Sequence, residues 1–349
     1  MTARKGTVLT LRPRAGLSMR LHLRSAAVVL VLLLLACAAG VILVGTGDYD
    51  ISPGRVLRTL LGGGTPAEEF VIRELRLPRV LVALLVGLAL GLAGAVFQSV
   101  SRNPLGSPDV IGFGQGSAAG ALTVIVLFGG DSAAVAGGAV AGGLLTGLGV
   151  YLLAWRGGIQ GYRLVLVGIG ASAMLAAVNG YLLTKAQIVD AARAVLWLTG
   201  SLDGRDWDQL WPLLVVCVLG LPVLAGQGRA LGMLEMGDDA ARALGVRAER
   251  TRLIAVVAAV LLTATATAAC GPISFIALTA PQLARRLTRA TGPQLLPAAA
   301  MGALLMVGSD LLAQSAFGGH RLPVGAVTGM LGGCYLLWLL FTERRAGRM

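Results

Sequence analysis

The chain has 349 residues, 56% hydrophobic and only 13% charged, with a mean hydropathy of +0.80 and a net charge of +12. Soluble domains carry about a quarter charged residues, so an ordinary water-soluble domain is excluded. The basic residues are scattered among polar segments between apolar blocks rather than gathered into a stripe with aromatics, which excludes a nucleic-acid surface.

Residues 1–25 form a basic arm, expected on the cytoplasmic side. Apolar segments follow at 26–45, 80–100, 110–128, 133–155, 164–184, 210–226, 253–270, 275–288, 296–314 and 324–341, with a short basic tail at 343–349. About 20 apolar residues cross a bilayer core of ~30 Å, so the pattern predicts an all-α polytopic membrane protein with about ten transmembrane helices and one domain over 26–342. The segment at 275–288 is short and holds Pro281, which predicts a broken or tilted helix. In the second span, Pro78 is suited to a helix start, and Asn103-Pro104 to a stop.

Charge placement orients the spans. With the N-terminus inside, Arg102, Arg156, Arg163, Arg229, Arg242, Arg247, Arg250, Arg252, Arg285, Arg286, Arg289 and both termini fall on one side. Arg55, Arg58, Arg73, Arg76, Arg79, Lys185, Arg193, Arg205 and Arg321 fall on the other. The excess of basic residues on the first side predicts both termini in the cytoplasm and an even number of crossings of the cytoplasmic (inner) membrane. Cys37, Cys217, Cys270 and Cys334 form no C-x-x-C and read as small core residues, while His22 and His320 have no partner at metal-ligand spacing.

The polar residues that punctuate the spans carry the functional signal. No G-x-x-x-x-G-K-[ST] is present, and the two lysines, Lys5 and Lys185, follow no such loop, so any ATP chemistry must reside on another chain. Arg76 and Arg79 stand three apart at the outer start of the second span, and Gln98, Asn103, Pro104 and Leu105 close that span on the inside. Gly237 to Val246 reads G-x-x-x-A-x-x-L-G-V on a polar inner segment. Gly271-Pro272-Ile273-Ser274-Phe275, Ala280-Pro281-Gln282, Asp310 and Leu322-Pro323-Val324-Gly325 follow.

In this order, R-x-P-R, Gln, N-P-L, the L-G-V element and L-P-x-G resemble the permeases of iron-siderophore and vitamin B12 ABC importers, the FecCD or BtuC-like family, over roughly residues 50–340. The resemblance implies a transporter subunit that is not itself an enzyme and holds no cofactor, ATP and Mg²⁺ being bound by a partner ATPase. Implied partners are a second permease, identical or paralogous, two copies of the ATPase, an extracytoplasmic binding protein and membrane lipid. It implies ATPase coupling in the region of about 234–252, through Gly237, Ala241, Leu244 and Gly245. Docking of the binding protein is implied at Arg76 and Arg79, and a path or gate at Gln98, Asn103, Pro104, Leu105, Gly161 and Tyr162. Ferric siderophore is the implied cargo, with cobalamin and haem as alternatives.

Three positions depart from the family pattern. Gln314 stands where an arginine follows the late Asp, Arg321 where Glu usually precedes Leu-Pro-x-Gly, and Gln282 where His usually follows Pro. Arg321 is expected to replace the missing docking charge, and any role tied to the imidazole is lost. Asp310, near the outer end of its span, is expected to form a structural pair, with water or Arg321 in reach. An ion-coupled secondary transporter is the competing class; it needs a chain of buried acids or histidines, which the sequence lacks.

Overall fold

The computed structural model describes residues 8–14, 17–47, 49–155, 158, 161–316 and 322–345. The basic arm opens with an antiparallel hairpin, β1 (Val8–Arg14) and β2 (Leu17–His22), a local departure from the all-helical expectation. From there the chain is helical. The elements are α1 (Leu23–Gly45), α2 (Pro53–Leu60), α3 (Pro66–Glu69), α4 (Leu77–Ser101), α5 (Phe113–Thr123), α6 (Ser132–Ala154), α7 (Gly161–Lys185), α8 (Ile188–Leu198), α9 (Trp207–Glu235), α10 (Asp238–Ala243), α11 (Ala248–Cys270), α12 (Ile276–Thr288), α13 (Leu295–Ser315) and α14 (Val324–Arg345).

Among the described residues, eight helices are long and apolar enough to cross a membrane. Two shorter segments complete the set of ten: α5 with its π-helical extension Val124–Phe128, and α12. Both begin at depth. Gly112, just before α5, packs on Ser172 in the middle of α7, and Ala277 at the start of α12 packs against Gly94 of α4. The break expected at 275–288 is thus a half-length helix entered through Phe275, whose backbone is left-handed (φ 71°).

The helices sort into a centre and a rim. In α4, α11 and α13 the membrane windows are 78, 72 and 67% buried, against 17–28% in α1, α6, α7, α9 and α14. Lipid tails are as apolar as leucine, so helix contacts in a bilayer depend on close packing more than on burial from water. Gly87, Gly91 and Gly94 supply it: a methyl group at any of them would strike a backbone carbonyl of α13 or α12. Gly142 does the same between α6 and α5, whereas Gly137 faces open space.

Sequence and structure differ at one helix start and one helix end. The second crossing begins at Pro66, and a π-helical turn, Phe70–Arg76, leads directly into Leu77-Pro78. The wide turn absorbs the missing N–H and the ring clash that would make proline a start. The sixth crossing, expected at 210–226, runs through Pro212 and Pro222 as far as Glu235. Cys217 and Cys270 are buried as expected, but Cys37 and Cys334 are exposed on rim helices and are not core residues.

Candidate translocation and coupling site

One end of the bundle gathers the start of α7, the last turns of α4, α9 and α12, and all of α10. Gly237 (φ 111°) turns the chain sharply from α9 into α10, and Gly245 (φ 80°) turns it out again toward α11. Both values lie where glycine is favoured, so the α10 knuckle depends on these two residues. Ala241 is buried against the bundle, while Leu244 and Gly245 face outward with Met236. The four residues expected to couple therefore form a short helix with one small buried contact and an exposed tip.

The expected gate residues lie next to it. A cavity of about 590 Å³ is lined by Ser101, Arg102, Gly161, Tyr162, Gly237 and Asp238. Gly161 packs so closely on Ser101 that a Cβ would collide with it. Arg102 ends α4 in a left-handed conformation (φ 52°), after which Asn103 folds back, its Oδ1 accepting from the Leu105 N–H at 2.9 Å. Leu105 and Tyr162 are exposed, and the Tyr162 hydroxyl accepts from Arg163 Nε at 3.0 Å. Gln98 lies deeper, buried in α4, and donates to the Leu278 carbonyl at 3.0 Å; it fastens α12 to α4 rather than lining an open passage in this chain.

Gln282, the position without the family's usual imidazole, bridges three elements. Its Nε2 donates to the Pro104 carbonyl at 2.8 Å, and its Oε1 accepts from the Tyr335 hydroxyl at 3.1 Å. The amide supplies one donor and one acceptor, the same inventory as a neutral imidazole. It ties the Asn103-Pro104-Leu105 loop to α12 and α14.

Charges hold this end together. Asp238 is ion-paired with Arg252, whose side chain is 1% exposed, and lies 3.8 Å from Arg102. Burial opposes its ionisation, but the Arg252 hydrogen bond and the charges of Arg252, Arg102 and Arg242 outweigh burial and lower its pKa. The Asp238 contribution to stability is therefore complete above the ordinary carboxylate range and is lost only as the pH falls through the lowered value. Glu235 accepts from Ser99 Oγ at 2.6 Å and Arg285 Nη2 at 3.1 Å.

At the opposite end, Arg76 and Arg79 are turned inward. Arg76 donates to the carbonyls of Val44, Gly45 and Tyr49, closing the end of α1. Arg79 forms a two-point pair with Asp310 (3.0 and 2.8 Å) and a further bond to Asp203. Both arginines, expected from sequence at a docking surface, are thus bonded within the chain. Asp310 is fully buried and pairs with Arg79, with Gln314 donating to it at 3.2 Å, so Arg321 is not needed for that pairing. Arg321 and His320 lie outside the described residues. A polar cavity of about 460 Å³, lined by Arg193, Trp197, Asp203, Arg205 and Gln209 among others, also opens here. Helix α8, which lines it, lies between two of the apolar segments read from the sequence.

Among the described residues, ten apolar segments packed around close-set central helices, with a polar knuckle at one end, define a multi-pass membrane protein. The FecCD transport family model matches residues 29–342, and the chain belongs to that family. It is 49% identical over 315 residues, 90% of this chain and 96% of the relative, to the ferric enterobactin transport system permease protein FepG of Escherichia coli (strain K12). It is 38% identical to the Fe(3+) dicitrate transport system permease protein FecD of the same organism, over 79% of this chain and 86% of the relative. A solved structure described as an inward-facing metal-chelate type ABC transporter superposes with a TM-score of 0.80 at 28% identity, covering 91% of this chain and 99% of that one.

Proposed function

We propose that the protein is the permease subunit of an ABC importer that carries a ferric siderophore across the cytoplasmic membrane, using ATP hydrolysed on a separate subunit. The observation that carries this reading is the α10 knuckle, which bears an exposed Leu244 and shares a cavity with Arg102, at the start of the loop after α4, and with Gly161 and Tyr162 of α7. The ATPase seats α10, and its closure displaces that loop. The α10 end faces the cytoplasm, in line with the arginines gathered there, and both termini lie on that side. Two permeases, the same or paralogous, enclose the path, and the chain needs no catalytic residue or cofactor of its own.

The α8 end receives the binding protein. Arg321 retains the expected docking role, joined by the exposed Arg58 and Arg193, while Arg76 and Arg79 hold the frame beneath. Ferric enterobactin, the cargo named for FepG, is the first to test.

Leu244→Glu tests the coupling role without disturbing the left-handed glycines. Recovery of the ATPase subunit with the purified permease should fall about tenfold or more, as for a central interface contact, with insertion unchanged. Full recovery together with full uptake would remove the coupling assignment.

A further inference from the structure

Glu235 and Asp238 flank the joint between α9 and α10, and each bridges α4 to a second core helix. Glu235 bonds Ser99 of α4 and Arg285 of α12. Asp238 bonds Arg252 of α11 and faces Arg102, the residue that ends α4, at 3.8 Å. Ser99 lies in the last turn of α4 and Arg102 ends the helix, so the two acids reach the same end of α4. Toward α7, by contrast, α10 meets the cavity of about 590 Å³ lined by Gly161 and Tyr162. The knuckle is bonded on the α4 side and open on the α7 side.

We propose that Glu235 and Asp238 are positioning residues forming a two-point latch that makes α10 and the end of α4 move as one body. A displacement of α10 is then delivered to the Arg102–Leu105 loop and, through the close packing of Gly161 on Ser101, to the start of α7. Gln282 passes the motion on, because its bond to the Pro104 carbonyl and its bond from Tyr335 link that loop to α14. The inference rests on the coupling role of α10 and adds the route by which its motion reaches that loop.

The test is the double variant Ser99→Ala with Arg102→Asn, assembled with its partner subunits in proteoliposomes and assayed with radioiron-labelled ferric enterobactin. It cuts both α4 arms, while Glu235 keeps Arg285 and Asp238 keeps Arg252, so no buried charge is stranded. Asn also suits the left-handed backbone at position 102. The ATPase should be retained and should hydrolyse ATP at an unchanged rate, while uptake per ATP falls about tenfold, within the usual size of coupling effects. Ser99→Thr with Arg102→Lys keeps the hydroxyl and the charge and should restore uptake per ATP. An unchanged ratio in the first variant, or loss of the ATPase from it, would overturn the latch. The coupling role of α10 is judged separately, by ATPase recovery with Leu244→Glu.

Discussion

Each end of the bundle carries an acid held by arginine on α4 or at its end, and the two clusters differ in what they join. Arg79 and Asp310 link two central membrane helices through a two-point bond, with the carboxylate fully buried. Asp238 and Glu235 join the end of a central helix to a short element outside the apolar belt, beside a cavity that leaves room to move. The same chemistry therefore serves as a brace where both sides are packed and as a linkage where one side is free. A stability assay should respond chiefly to the first, and a coupling assay to the second.

Asp310→Ala should give the largest stability loss. It removes the two-point bond and leaves Arg79, whose side chain is only 16% exposed, with Asp203 as its remaining acid, so the loss approaches the ~3–5 kcal/mol of a broken buried pair from below. The check is thermal unfolding in detergent, where a wild-type midpoint would dissolve the distinction between brace and linkage. Gln282→Leu should rank next, at about 1–3 kcal/mol, by removing the bond to the Pro104 carbonyl and the bond accepted from the Tyr335 hydroxyl. Gln282→His should recover most of that loss in the same assay, since imidazole can also donate once and accept once. Ser99→Ala with Arg102→Asn should rank last in stability, at about 1 kcal/mol or less for a partly exposed charge, yet it should show the largest loss of uptake per ATP. Reversal of that order would show that the inner acids are simply another brace.

The spans were legible because long apolar runs leave little choice of structure in a bilayer, and all ten have helical counterparts. Their ends were less so. Pro78 read as a start, since a π-helical turn ahead of it leaves no mark in a local pattern; Gln227, Arg229 and Glu235 masked the extension of α9 beyond the apolar run. The glycine turns of α10 could be read from Gly237 and Gly245, whose spacing frames a single short helix. Charge partners could not, because Arg79 and Asp310 are 231 residues apart and nothing along the chain joins them before α4 meets α13. For the same reason Arg79 read as a surface cation, and Gln282 as a missing histidine rather than a bridge.

The central claim is that the chain is a conduit moved from outside itself through α10. The most direct measurement is iron-siderophore accumulation in proteoliposomes that contain the permease pair and are supplied with loaded binding protein, with and without the ATPase subunit and ATP. Accumulation should require both the ATPase and ATP, and should be absent under a proton or sodium gradient alone. Sustained accumulation driven by such a gradient, with no ATPase present, would contradict the account.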